Sequence, residues 1–135
     1  GGGGLISGVA TAAKLLRPSI RVIGVEPTGA ATLFESIKAN EVVTLPSVNT
    51  AATSLAPRQS SALNIDLIGK NVDRIALVSD EEMQKAASWL WKDLGIAVEL
   101  SAAAGIAAIM TDRLGVDDPG RVGVIICGTG TDGIK

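Results

Sequence analysis

Four consecutive glycines are the residues of this chain whose type and spacing point most directly to a bound ligand. They are Gly1, Gly2, Gly3 and Gly4. Without Cβ atoms the backbone can approach a ligand closely, and successive amides can point at one phosphate. An apolar segment with helical spacing follows at once, and the N-terminus of a helix adds partial positive charge. The pattern therefore favours an anion site, with a flexible linker or tag remnant as the alternative.

A second glycine-rich segment, 127–133, follows the last predicted strand and contains the only cysteine, Cys127. Gly128, Gly130 and Gly133 match the spacing of a dinucleotide-binding fingerprint, but the helix and second strand which that fingerprint requires do not follow. Ligands of open α/β sheets bind where strands end, so this segment is well placed to line a site. With no activating neighbour, Cys127 is interpreted as a buried, inert thiol and not as a nucleophile.

The absence of certain residue types limits the kinds of catalytic and metal sites that the chain can form. The chain has no histidine and a single cysteine, which excludes a Ser-His-Asp triad, a histidine metal site and a thiolate zinc cluster within it. No Lys-Ser/Thr pair follows the tetraglycine, which disfavours a nucleoside triphosphate. Catalysis would need carboxylates, lysines, backbone amides or a bound cofactor. Glu26 and Glu99 stand at predicted element boundaries, where a solvated charge is the default interpretation.

The composition predicts one domain, residues 1–135, with an ordinary core. Hydrophobic residues make up 47% of the chain and charged residues 19%, with a net charge of −2. Without a basic run, nucleic acid is not an expected partner, and the short apolar stretches predict no membrane span. The single cysteine and the lack of a signal-peptide pattern favour the cytoplasm. The chain also lacks an initiator Met, which suggests a fragment or a processed protein.

Segments with helical and strand-like patterns alternate along the chain, as expected for a parallel sheet with right-handed crossovers. The predicted helices are 5–17, 30–39, 62–69, 80–94 and 101–114, and the predicted strands are 20–25, 74–78 and 122–126. Residues 40–61 are expected to be mostly loop.

The helix 80–94 has the strongest local signals. Ser79 and Glu82 form a capping box, and Gly95 can take the left-handed conformation that ends a helix. Four side chains at helical spacing are expected to pack it on the sheet: Met83, Ala87, Leu90 and Leu94.

Several motifs, in their order and spacing, resemble the fold-type II pyridoxal-phosphate enzymes, with threonine/serine dehydratases and serine racemases the nearest. They are Gly1-Gly2-Gly3-Gly4-Leu5-Ile6-Ser7-Gly8, Val25-Glu26-Pro27, Val78-Ser79-Asp80-Glu81-Glu82 and Glu99-Leu100-Ser101-Ala102-Ala103. The resemblance covers essentially the whole chain. It implies an α/β fold with a parallel three-layer sheet, and it identifies the chain as the C-terminal half of such an enzyme, a partial large domain.

The resemblance also implies roles for particular residues. The tetraglycine and the Leu5 amide would hold the phosphate of pyridoxal 5'-phosphate. Cys127, with Gly128 next to it, would stand beside the pyridine nitrogen, where a neutral group favours β-elimination over transamination. Glu99 would sit near the outer face of the cofactor, and Leu100 replaces the frequent Pro of that motif.

A divalent-cation site is a further implication of the resemblance. Glu26 and the Ala30 carbonyl match two positions of the cation site found in racemase-like members. The third position is Thr32, where that pattern usually has Asp.

The resemblance places the Schiff-base lysine, and the loop for the substrate carboxylate, in a region upstream of this chain. None of the six lysines has the Ser-Phe-Lys-like context, so no catalytic residue is predicted here; Lys135 is the one lysine that could approach the site. The intact protein is expected to eliminate water from serine, threonine or a related hydroxy-amino acid, which gives a keto acid and ammonia.

Two alternatives to an enzyme fragment stay open at this point. One is a non-catalytic or degenerate module that binds phosphorylated ligands, and the other is a structural piece with the glycines as a linker. An isolated half-enzyme would expose apolar surface, so the expected partner is the missing N-terminal half or a second copy in a homo-oligomer.

Overall fold

Two parallel strands, β1 (Ile23–Pro27) and β2 (Arg74–Val78), form the sheet. They pair along their whole length, from Ile23 opposite Arg74 to Pro27 opposite Val78. The structure is a computed structural model that describes residues 1–117 and 120–134. Lys135, the lysine singled out above, lies outside the described residues. The predicted α/β class with a parallel sheet is confirmed.

Five α-helices surround the sheet in the described part of the chain. They are α1 (Gly4–Leu16), α2 (Thr32–Ala39), α3 (Ala62–Asn71), α4 (Asp80–Leu94) and α5 (Ala104–Met110). Short 3-10 turns occur at Thr28–Ala30, Thr53–Leu55, Leu100–Ala103 and Asp132–Ile134. None of the helices in 1–117 and 120–134 is long and apolar enough to cross a bilayer.

The alanine-rich helix is shorter than the sequence predicts. Its first residues form the 3-10 turn Leu100–Ala103, and α5 ends at Met110 instead of Leu114. The end is local in origin, because Asp112 has a φ of 54°, the left-handed conformation that cannot continue a right-handed helix.

The sheet separates two apolar clusters, which gives three layers. On one face, β2 and the partly buried Val25 pack with α4 and α5 around Val78, Met83 and Leu90. On the other face, α1, α2 and α3 pack around Leu33, Ile68 and Ile75. Alternation of side chains along β2 produces this division, because Ile75 and Val78 point to opposite faces.

The capping box of α4 is confirmed. The Ser79 hydroxyl accepts the Glu82 amide at 3.2 Å, and the Glu82 carboxylate accepts the Ser79 amide at 2.7 Å. Gly95 ends the helix with a φ of 67°. Three of the four predicted packing residues are buried: Met83, Ala87 and Leu90. Leu94 was wrongly predicted: it is 54% exposed, because the last turn of α4 extends beyond the buried cluster, whose α4 members end at Leu90.

The predicted third strand, 122–126, is also wrong. This segment forms no ladder with β1 or β2, although Val98 and Thr129 make an isolated antiparallel bridge nearby. The physical reason is separation. A ladder needs a neighbour about 4.8 Å away, whereas this segment and β1 line one common cleft and, among the described residues, β1 pairs only with β2. Val122 and Ile125 are left about half exposed, at 47% and 55%.

Candidate functional site

A cleft of about 1070 Å³ is lined by all four glycines of the first segment and by Cys127 of the second. Residues from several separate parts of the chain line it, among them the four glycines, Leu5, Glu26, Ser54, Glu99, Ser101 and Cys127. Gly1 lies next to the end of β1, with its nitrogen 3.7 Å from Glu26 Oε1. The cleft therefore opens at the carboxyl end of β1, where parallel sheets place their ligands.

The tetraglycine adopts a conformation that requires glycine at one position. Gly3 has a φ of 90°, and a Cβ there would come within 3.0 Å of Ile68 and 3.1 Å of Leu33. Helix α1 begins immediately afterwards, with the Ser7 amide donating to the Gly3 carbonyl at 2.9 Å.

The first amides of α1 have no acceptor within the helix, and no side chain caps them. Gly4 is exposed, and a Cβ on it would meet nothing within 4 Å. Free amides and open space at a helix N-terminus fit a phosphate group.

The second glycine-rich segment is pressed against Glu99. An ideal Cβ on Gly128 would stand 2.4 Å from Glu99 Oε1, and one on Gly130 would stand 2.6 Å from the Glu99 nitrogen. The Leu100 amide donates to Asp132 Oδ2 at 2.9 Å and fixes the far end of the segment. Glycine is required at positions 128 and 130 because the segment passes so close to Glu99, and not because of a left-handed backbone conformation.

The thiol of Cys127 does not lie in the interior. The interpretation as a buried thiol is wrong, because Cys127 is exposed and lines the cleft. Of the seven residues predicted to hold the cofactor, the four glycines, Leu5 and Cys127 line one cleft, and Gly128 lies beside its wall at Glu99. Their roles toward a cofactor remain predictions.

Two serines at the cleft were given no role by the sequence, although Ser101 lies within one of the motifs that carry the resemblance. Ser54, within the segment expected to be loop, donates to Glu99 Oε2 at 2.9 Å. The Ser101 hydroxyl is buried and has no hydrogen-bond partner among the described residues. A buried hydroxyl without a partner is uncommon and costs about 1–3 kcal/mol. Ser101 lines the cleft, so its hydroxyl is available to form a hydrogen bond with a ligand bound there.

Glu26 is a buried carboxylate that caps a helix. It is 1% exposed, and its two oxygens accept the amides of Leu33 at 3.0 Å and Phe34 at 2.9 Å in the first turn of α2. Burial raises the pKa of the Glu26 carboxyl above its ordinary value of 4.5, and hydrogen bonds from the two amides offset part of that rise.

This geometry does not favour a cation at the predicted site of Glu26 and Ala30. The carboxylate is already engaged by two amides, and the Thr32 hydroxyl donates to the Pro57 carbonyl at 2.7 Å. The described residues contain no group of three or more acidic, cysteine or histidine ligands. The cation site stays a prediction, and no step of the chemistry is assigned to it.

The raised pKa of Glu26 predicts a pH-dependent stability. Between 4.5 and the folded-state pKa, the folded protein holds a proton that the unfolded chain has released. The stability contributed by Glu26 is therefore complete below the unfolded pKa and declines as pH rises through the folded one. The excess free energy of unfolding of wild type over Glu26→Gln should fall as pH increases from 4.5, as measured by urea denaturation.

Glu41→Gln, at an exposed position, is the control for loss of a carboxylate. The free energy of unfolding of Glu41→Gln should vary with pH in the same way as that of the wild type. If the excess of wild type over Glu26→Gln grew with pH instead, the ionised form of Glu26 would be the favoured one, and this reading of its burial would be wrong.

The described lysines do not line the cleft. Lys14 pairs with Asp73 at 2.9 Å, and Lys70 pairs with Asp66 at 2.7 Å, both on the outside of the domain. The cationic groups that reach the cleft are arginines: Arg17, Arg21 and Arg121.

Comparison with known proteins gives consistent matches over nearly the whole chain. The family described as pyridoxal-phosphate dependent enzyme matches residues 1–128. The chain is 40% identical to phenylserine dehydratase of Ralstonia pickettii, over 98% of this chain and 40% of that protein. It is 38% identical to serine racemase of Oryza sativa subsp. indica, over 97% of this chain and 40% of that protein. The structure of maize serine racemase superposes with a TM-score of 0.89 at 36% identity, covering 97% of this chain and 42% of that one. The chain thus spans about 40% of the length of these relatives.

Proposed function

Because this chain belongs to the pyridoxal-phosphate-dependent enzyme family, we propose that its tetraglycine and the first amides of α1 bind the phosphate of pyridoxal phosphate. The uncapped start of α1 carries this proposal, because its free amides line the same cleft as Cys127 and Glu99. A phosphate dianion would satisfy these amides and be stabilised by the helix N-terminus.

The reaction proposed for the whole protein is elimination of water from serine, threonine or a related hydroxy-amino acid, with a keto acid and ammonia as products. Likeness to a phenylserine dehydratase supports it, and likeness to serine racemases supports racemisation as the second candidate. Bound pyridoxal phosphate supplies an electron sink for the substrate's α-carbon. Likeness to enzymes over nearly the whole chain supports this over a module that only binds phosphorylated ligands.

The described residues of this chain would bind and orient the cofactor, and other residues would carry out the covalent chemistry. The amides of Gly4 and Leu5 would fix the phosphate end. Cys127 would offer the ring nitrogen a neutral partner, and Glu99, held by Ser54 at 2.9 Å, would border the cofactor. The described lysines do not line the cleft, and Lys135 lacks the Ser-Phe-Lys-like context, so we assign the cofactor's lysine to another part of the whole protein or to a partner chain.

We also propose that the cleft between β1 and the segment 121–125 takes up a strand from the rest of the protein. Both sides line it, and β1 pairs with β2 on one edge only among the described residues. A parallel neighbour would satisfy the free edge of β1 and cover the half-exposed Val122. This provides a physical basis for the expected partnership with an N-terminal half.

The test is to purify the protein that carries this chain and incubate it with pyridoxal phosphate and L-serine, L-threonine or L-phenylserine. Keto acid and ammonia in equal amounts are the expected products, and the same protein freed of pyridoxal phosphate is the control. Inverted amino acid without keto acid would select racemisation. If neither product formed with any of these substrates, the proposed activity would be wrong.

A further inference from the structure

Residues at and just before the start of α3 form hydrogen bonds to the tetraglycine. The Gly2 carbonyl accepts two hydrogen bonds, from the Ser60 hydroxyl at 2.6 Å and from Asn64 Nδ2 at 2.9 Å. On its other side Asn64 Oδ1 lies 3.2 Å from the Ser7 hydroxyl, which is also 3.1 Å from the Gly4 carbonyl. One side chain, Asn64, thus links both ends of the glycine loop.

The orientation of the Gly2 carbonyl determines the orientation of the Gly3 amide in the same peptide group. In a trans peptide the C=O and the next N–H point in opposite directions, and no cis peptide occurs among the described residues. The Gly2 carbonyl is held toward α3, so the Gly3 amide points away from α3. An ideal Cβ on Gly3 would stand 3.4 Å from the Asn64 Cβ, so the loop passes close to α3 at this position.

We propose that Asn64 is a positioning residue of the phosphate site, which orients the tetraglycine amides through the Gly2 carbonyl. Asn64 is not among the residues that line the cleft, so its effect on a ligand is transmitted by the loop. The inference rests on the proposed function for the identity of the ligand. Its geometric part, that Asn64 orders residues 1–6, holds without any ligand.

A matched residue separates this role from simple attachment of α3 to α1. Asn71, two turns further along α3, also bonds to α1: its Nδ2 donates to Thr11 Oγ1 at 3.3 Å, as well as to the Leu67 carbonyl at 2.9 Å. Asn64→Ala and Asn71→Ala therefore each remove one link between these helices, but only the first also removes a hydrogen bond to the tetraglycine.

The first measurement is the affinity of the cofactor-free protein that carries this chain for pyridoxine 5'-phosphate and for pyridoxine, which lacks the phosphate. Asn64→Ala should bind pyridoxine 5'-phosphate about tenfold more weakly, the effect of one or two lost hydrogen bonds. Its affinity for pyridoxine should match that of wild type. Asn71→Ala should change neither value. Ser60→Ala, which removes the other donor to Gly2, should weaken phosphate binding in the same direction if Asn64→Ala fails to fold.

The second measurement is amide hydrogen exchange of residues 1–6 without ligand. Exchange should be faster in Asn64→Ala and unchanged in Asn71→Ala. Equal exchange in the two variants would overturn the inference, as would an equal loss of affinity for both forms of pyridoxine. If wild type failed to bind pyridoxine 5'-phosphate, the proposed function would fail, and the exchange result alone would decide the role of Asn64.

Discussion

Replacement of Gly130 by alanine is expected to lower the free energy of unfolding by about 3 kcal/mol, at the upper end of the usual cost of overpacking. An ideal Cβ on Gly130 would stand 2.6 Å from the nitrogen and 2.7 Å from the Cα of Glu99. Both are backbone atoms, so no rotamer change can relieve the overlap. The neighbouring Val98–Thr129 bridge and the bond from the Leu100 amide to Asp132 keep the two segments from separating.

Gly123→Ala is the matched control for Gly130→Ala. It lies in the same C-terminal part of the chain, and its Cβ would meet nothing within 4 Å. Urea denaturation should show a lower free energy of unfolding in the Gly130 variant only. In that variant, the amides of residues 127–134 should also exchange faster, because the segment no longer packs against Glu99. A Gly130→Ala protein as stable as Gly123→Ala would mean that this segment does not pack against Glu99.

Local signals in the sequence were sufficient for the elements that depend on neighbouring residues. The capping box at Ser79 and the glycine at 95 gave the limits of α4, because both act within one turn of the chain. The strand 74–78 was predicted with its observed bounds. The first strand was displaced, predicted at 20–25 and observed at Ile23–Pro27, because its bounds depend on where β2 begins and ends beside it.

The parts that could not be predicted depend on residues far apart in the sequence. The segment 122–126 has the apolar pattern of a strand, but pattern alone cannot show whether a neighbour lies within pairing distance. Glu26 looked like a solvated boundary charge, yet it is buried because α2 folds back over it and offers two amides. Asn64 and Ser60 are about sixty positions from the glycines they hold, and no motif marks either of them.

Gly4→Val is expected to weaken binding of pyridoxine 5'-phosphate by about 100-fold, which corresponds to the loss of two or more charge-assisted hydrogen bonds. A Cβ on Gly4 would meet no atom of another part of the protein within 4 Å, so added bulk should be accommodated there with little strain. It would instead fill open space at the start of α1, where the free amides are. Valine also has a slightly higher helix propensity than glycine, so the free energy of unfolding should stay the same or rise slightly.

Gly8→Val makes this result specific to the site. Gly8 lies one turn further along α1, is exposed, and would also place its Cβ in open space. Both variants therefore carry the same added bulk in the same helix, and both should unfold at a similar urea concentration. Titration with pyridoxine 5'-phosphate should separate them, with Gly8→Val close to wild type. Should the two variants bind it equally well, the phosphate would be held elsewhere, and the tetraglycine would be a structural entry to α1 in spite of its free amides.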